Sequence, residues 1–202
     1  MTNLQTLINE YILDTENPVT NFNLALHYHN LNQTAAAMSF YLRTAERTHD
    51  KLLSYSCLLG ASICYSTQGC RNFTVKSLLR NALITLPDRP EAYIMLAQHH
   101  EHEARKTTNS DEAIKSWHDC YMISCLGERF GIDVRQPLYI NIDIYKPYAL
   151  TFERAVSSWW CGLCNESKNL FDELLKNYGD TMDEAYKNAV IGNINHLNSL
   201  KN

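Results

Sequence analysis

The chain has 202 residues, 45% of them apolar and 10% aromatic, with 18 Lys and Arg against 22 Asp and Glu for a formal charge of −4. That size bounds it at one domain or two, the apolar content exceeds that of a disordered chain, and the acidic balance excludes a general nucleic-acid binder, which needs a basic face. Seven Gly and five Pro are few for this length, so turns are scarce and long helices are favoured over a hairpin-rich sheet.

The first expected element is an amphipathic helix over Leu4–Leu13, with apolar residues at 4, 7, 8, 11 and 12. It halts before Asn17-Pro18, because the residue ahead of a proline is steered out of the helical region. From Phe22 the pattern Leu24-Ala25-x-x-Tyr28 runs to a break at Leu31-Asn32, and a second amphipathic run carries Ala37, Tyr41 and Ala45. Asn tolerates the left-handed conformation that ends a helix, so Asn32 is the expected stop. The arrangement recurs. Leu58, Ala61, Ser62 and Tyr65 lead to Gly69 and then to Val75, Leu79, Ala82 and Pro87; Tyr93, Leu96, Ala97 and His100 lead to Ala113, Trp117 and Cys120. A fourth unit carries Ala155, Gly162, Ser167 and Phe171. One such helix pair cannot bury its apolar face alone, so the units are expected to stack.

Between the third and fourth units, Leu138, Ile140, Ile142 and Ile144 alternate with period two between Pro137 and Pro147, a strand pattern. A lone strand leaves its backbone unsatisfied. The segment is therefore either an extended loop laid across the helices or an edge awaiting a partner. A last amphipathic helix is expected from Asp183 to Leu200, carrying Ala185, Ala189, Ile191, Ile194 and Leu197.

At these residues the chain resembles the tetratricopeptide repeat, a helix–turn–helix unit of about 34 residues. The third unit matches best in its first helix, through Tyr93, Leu96 and Ala97, and the second at its end, through Ala82 and Pro87. The third departs from the pattern by an insertion around Lys106 to Ser110. More specifically, the run Gln33 to Arg47, the string Arg89-Pro-Glu-Ala-Tyr93 and the run Ala155 to Ser167 are similar to the helical-repeat region attached to some family 2 glycosyltransferases. The nucleotide-sugar domain of that family has no counterpart: βαβ alternation is missing, and Asn141-Ile-Asp143 is one carboxylate short of its metal motif. The resemblance implies an all-α fold, a right-handed α–α superhelix of about four helix pairs. It would form one domain over 1–202: an N-terminal capping helix in 1–17, three repeats over 18–125, an extended insertion over 126–147, a fourth repeat over 148–178 and a C-terminal capping helix over 182–202.

Aligning each first helix on the repeat pattern puts Phe22, Leu26 and His29, then Leu59 and Ile63, then Ile94, Gln98 and Glu101, and finally Phe152, Val156 and Trp159 on the concave side. These are mostly apolar. Such a groove suits an amphipathic helix, whether a partner's or the chain's own terminal one, rather than a peptide carboxylate. Neighbours on a helix diverge by about 100°, so of Trp159 and Trp160 one should pack inward and the other face a different side. Large aromatics chiefly serve cores, so both are expected to be buried between the repeats and the last helix; the alternative is an exposed ring that anchors a partner or stacks on a sugar.

Cys161-Gly-Leu-Cys164 lacks the second ligand pair of a zinc site, and His99 with Glu103 supplies two ligands where three or four are wanted. The glycines never cluster as a phosphate loop, and Gly-x-Ser-x-Gly does not occur. No catalytic residue, metal or cofactor is assigned. An odd set of seven cysteines, no basic-then-apolar leader in Met1 to Glu10 and no apolar run of spanning length lead to the expectation of a cytoplasmic protein with reduced thiols and no membrane insertion. The expected function is a non-catalytic scaffold for a protein or peptide partner. The alternative is an accessory or glycan-contacting module working with a glycosyltransferase.

Overall fold

A computed structural model describes residues 3–134 and 136–199, and all regular structure among them is helical. In chain order the helices are α1 (Leu4–Leu13), α2 (Pro18–Asn30), α3 (Thr34–Arg47), α4 (Lys51–Gln68), α5 (Asn72–Thr85), α6 (Glu91–Lys106), α7 (Ser110–Phe130), α8 (Ala149–Trp160), α9 (Cys164–Tyr178) and α10 (Glu184–Ser199). Consecutive helices pack on one another from α1 to α5 and again from α7 to α10. None of the described helices is long and apolar enough to cross a membrane.

The helix starts follow from local chemistry. The side chains of Asn17, Asp50 and Asn109 accept hydrogen bonds from the otherwise unpaired N–H groups at the starts of α2, α4 and α7. Pro18, whose ring presets the helical φ, is the first residue of α2. Between α2 and α3, Asn32 adopts φ +56°, the left-handed stop expected from its side chain.

The described residues gather into two compact units, one drawn from Met1–Ala92 and Asp133–Asp143, the other from Tyr93–Ile132 and Ile144–Asn202. In the first, Leu24, Ala25, Ala37, Tyr41, Leu59 and Leu79 are buried. A Cβ on Gly60 would lie 2.8 Å from the Tyr41 ring, so glycine is what lets α4 meet α3 there. In the second unit Trp117, Ala155, Phe171, Leu174 and Val190 form the core. A Cβ on Gly127 would lie 2.7 Å from Tyr93 Cβ, which brings α7 close to α6. Leu197 of α10 is buried, while Leu200 lies outside the described residues.

One expectation changes and one open choice is resolved. Residues 126–130, read as the start of the insertion, are the last turn of α7, which continues through Gly127 until Gly131 N donates to Gly127 O at 2.8 Å. Of the two readings of the period-two segment, the extended loop laid across the helices is the one found. Its burial does alternate, with Leu138, Ile140 and Ile142 turned in and Tyr139, Asn141 and Asp143 exposed, but helices rather than another strand lie beneath it.

Candidate functional site

In the first unit, Phe22 and Leu59 are buried and Leu26, His29 and Ile63 are half-buried. His29 Nδ1 sits 2.9 Å from the Tyr41 hydroxyl, and burial lowers its pKa. The insertion crosses this face. Tyr139 stands edge-on to Phe22, ring centroids 6.1 Å apart; its N–H donates to Ser56 Oγ at 3.2 Å and its hydroxyl to Asp50 Oδ2 at 2.7 Å. Arg89 Nη1 donates to the Gln136 carbonyl at 2.6 Å, and Asp133 N to the Asp88 carbonyl at 2.8 Å. An extended segment cannot pair its own backbone, so α4 and the connection between α5 and α6 supply the partners.

Arg89 is itself fixed. It pairs with Glu91 through Nε at 3.1 Å and through a second, shorter contact from Nη2 to Oε1, both residues being buried. Glu91 also accepts from the Tyr55 hydroxyl at 3.2 Å, and that hydroxyl accepts from Ala92 N at 2.9 Å. Burial and the Glu91 charge push the Tyr55 hydroxyl well above its ordinary pKa. A cleft of about 520 Å³ opens beside the segment, where Asp50, Lys51, Asp88 and Gln136 meet. Ser56, Tyr139 and the buried role of Arg89 and Glu91 are not legible in the groove alignment. The one signal is the string Arg89-Pro-Glu91, which places opposite charges on either side of a helix start.

In the second unit, Ile94 and Val156 are buried and Gln98, Glu101, Phe152 and Trp159 are half-buried. Helix α10 lies on them: Tyr186 is edge-on to Phe152 with centroids 5.0 Å apart, and His196 is edge-on to Trp159 at 6.0 Å. Gln98 Nε2 donates to the Tyr186 hydroxyl at 3.4 Å. Next to Phe152, Glu153 is only 2% exposed, and its Oε2 has no hydrogen-bond partner. Burial and the neighbouring Glu101 carboxylate push the Glu153 carboxyl up to about 8. Glu101 in turn holds Arg105, through Nε at 3.0 Å and Nη2 at 2.8 Å.

The two tryptophans diverge as helical geometry requires, but they are not both buried as expected: Trp160 closes α8 at its exposed end. Trp159 turns toward α10, whereas Trp160 is 53% exposed and stacks on Trp117, centroids 5.2 Å apart and planes 8° from parallel. The Arg105 guanidinium lies over the Trp117 ring at 5.3 Å.

The cysteine and histidine clusters are plainer. Cys161 caps α8 and Cys164 opens α9; burial and Glu166 raise the Cys161 pKa, the opposite of an activated thiol. His99 is 3.9 Å from Glu103, and His100 is 3.7 Å from Glu103 and 3.8 Å from Asp119. Among the described residues, no three His, Cys, Asp or Glu side chains converge to hold a metal ion. No protein-family model matches this sequence, and neither does any curated protein.

Proposed function

We propose that the chain is a non-catalytic scaffold of tetratricopeptide-like helix pairs, stacked as a right-handed superhelix, that holds a segment of a protein partner against concave positions such as Phe22, Leu26 and Ile63. The observation that carries this reading is how Tyr139 and Gln136 are received. The first unit offers an extended peptide what it needs: an aromatic ring for its side chain, a hydroxyl for its N–H and a guanidinium for its carbonyl. The chain's own insertion is the resting occupant. An uncovered face would forgo about 1.5–3 kcal/mol for each large apolar side chain left in water, so a partner exchanges with the cover rather than entering an empty groove.

The test uses a fluorescein-labelled peptide of the sequence from Gln136 to Asp143. It should bind saturably to the full chain carrying Tyr139→Ala, more weakly to the unaltered chain, whose own segment competes, and more weakly again when Ser56→Ala is added to Tyr139→Ala. Equal binding to all three, or none to any, overturns the reading.

A further inference from the structure

The scaffold reading leaves unused a cleft of about 490 Å³ in the second unit, at the C-terminal end of α8. Arg105 reaches it from the end of α6, Ser110, Ala113, Ile114 and Trp117 from the start of α7, and Trp160 from the last residue of α8. Its volume lies within the range of small-molecule sites. Trp117 is buried and carries both the Arg105 guanidinium and the stacked Trp160 indole, while Trp160 and Ile114 are each 53% exposed. Glu101 fixes the guanidinium through Nε and Nη2, yet the Arg105 side chain stays 55% exposed.

The donor and acceptor inventory selects the ligand. Guanidinium and indole N–H groups only donate, and among the described residues of the lining the Ser110 hydroxyl is the one side-chain acceptor. A pyranose brings several hydroxyl donors, and with so few side-chain acceptors in the lining those donors must turn to water. A cation would meet the charge of Arg105. A flat aromatic ring can extend the indole stack, and a carboxylate can take charge-assisted hydrogen bonds from the guanidinium. We propose that this cleft binds a planar aromatic carboxylate, with the ring on Trp160 and the carboxylate on Arg105.

The probe is 2-naphthoate, followed by saturation-transfer NMR and calorimetry on the full chain, with 2-naphthamide and methyl glucoside beside it. 2-Naphthoate should bind, and Trp160→Ala should weaken it by about ten-fold, the upper range for an aromatic pair. Trp160→Phe, which keeps a ring, should retain binding and serves if Trp160→Ala disturbs folding. Arg105→Gln should bring 2-naphthoate down to the affinity of 2-naphthamide while leaving the amide unchanged. No transfer to 2-naphthoate, full binding by Trp160→Ala, or methyl glucoside binding as well as 2-naphthoate overturns the proposal. None of these readouts involves Tyr139 or its face, so the outcome is independent of the peptide assay.

Discussion

The faces of the two units that carry Phe22 and Phe152 are covered by the chain's own residues in two chemical styles. Over Phe22 the cover is extended, and its backbone groups are met by Ser56 and Arg89. Over Phe152 and Trp159 the cover is α10, whose backbone is already paired within the helix, so it docks through the rings of Tyr186 and His196. The difference teaches where polar groups must be buried. An extended cover forces a charged pair, Arg89 with Glu91, into the interior of the first unit. The helical cover makes no such demand, and the buried acid of the second unit, Glu153, has a carboxyl oxygen with no hydrogen-bond partner.

The largest expected effect breaks the charged support of the extended cover. Glu91→Gln leaves a cation only 5% exposed without its carboxylate, and removing one partner of a buried pair costs about 3–5 kcal/mol. Urea unfolding should register that loss. Hydrogen exchange should place it in α4 and in residues 133–143, with α9 and α10 still protected. A loss below about 1 kcal/mol, the range of exposed pairs, would show that Arg89 finds equivalent water and that the two covers differ less than the contacts suggest.

For the helical cover the corresponding lever is pH. Glu153 has a folded-state pKa of about 8, raised by burial and by Glu101 from the ordinary 4.5. A group whose pKa is raised on folding contributes stability that is complete below its unfolded value and is lost as pH rises through the folded one. The second unit should therefore weaken between about pH 4.5 and pH 8, by on the order of a few kcal/mol. Glu153→Gln should flatten that slope and make the variant the more stable form at pH 9. The other groups facing Glu153, namely Glu101, Gln98 and Arg105 from α6, Cys120 from α7 and Tyr186 from α10, stay in place. Trp159 fluorescence, through its contact with His196, reports whether α10 stays docked. An unchanged pH slope in Glu153→Gln sinks the assignment.

The features legible in the sequence are those decided within a few residues. Asn17-Pro18 starts α2, Asn32 stops the turn after it, and the divergence of Trp159 from Trp160 follows from helical rotation alone. The alternation of Leu138, Ile140 and Ile142 also shows through, because it records which side is buried and not what lies beneath. The covers are another matter. That Tyr139 meets Phe22, or that α10 closes over Glu153, depends on groups far apart in the chain, and neither residue looks unusual in its local pattern. Glu153 reads as an ordinary polar position between Phe152 and Arg154 until Glu101 and Tyr186 are known to face it. The end of α7 escapes for a related reason: Gly127 looks like a breaker locally, and only its approach to Tyr93 and Leu150 shows why a side chain is absent there.

The smallest expected effect sharpens which part of the extended cover matters. Tyr139→Phe removes the hydroxyl that donates to Asp50 at 2.7 Å but keeps the ring on Phe22 and the N–H on Ser56. Tyr139 is 48% exposed, so losing that hydrogen bond should cost no more than about 1 kcal/mol. Asp50 should keep its role at the start of α4, because Leu52 and Leu53 donate to its other oxygen at 2.8 and 3.2 Å. Its pKa, lowered against burial by Tyr139 and by those two amides, should rise part of the way toward 3.8. A depressed carboxylate stabilises above its unfolded pKa and loses that contribution as pH falls, so the gap between the two chains should be full at pH 7 and close in acid. Carboxyl carbon NMR on Asp50 tracks the titration, and urea unfolding tracks the cost. If Tyr139→Phe instead releases the segment as completely as Tyr139→Ala, then the hydroxyl on Asp50 and not the ring on Phe22 holds the cover in place.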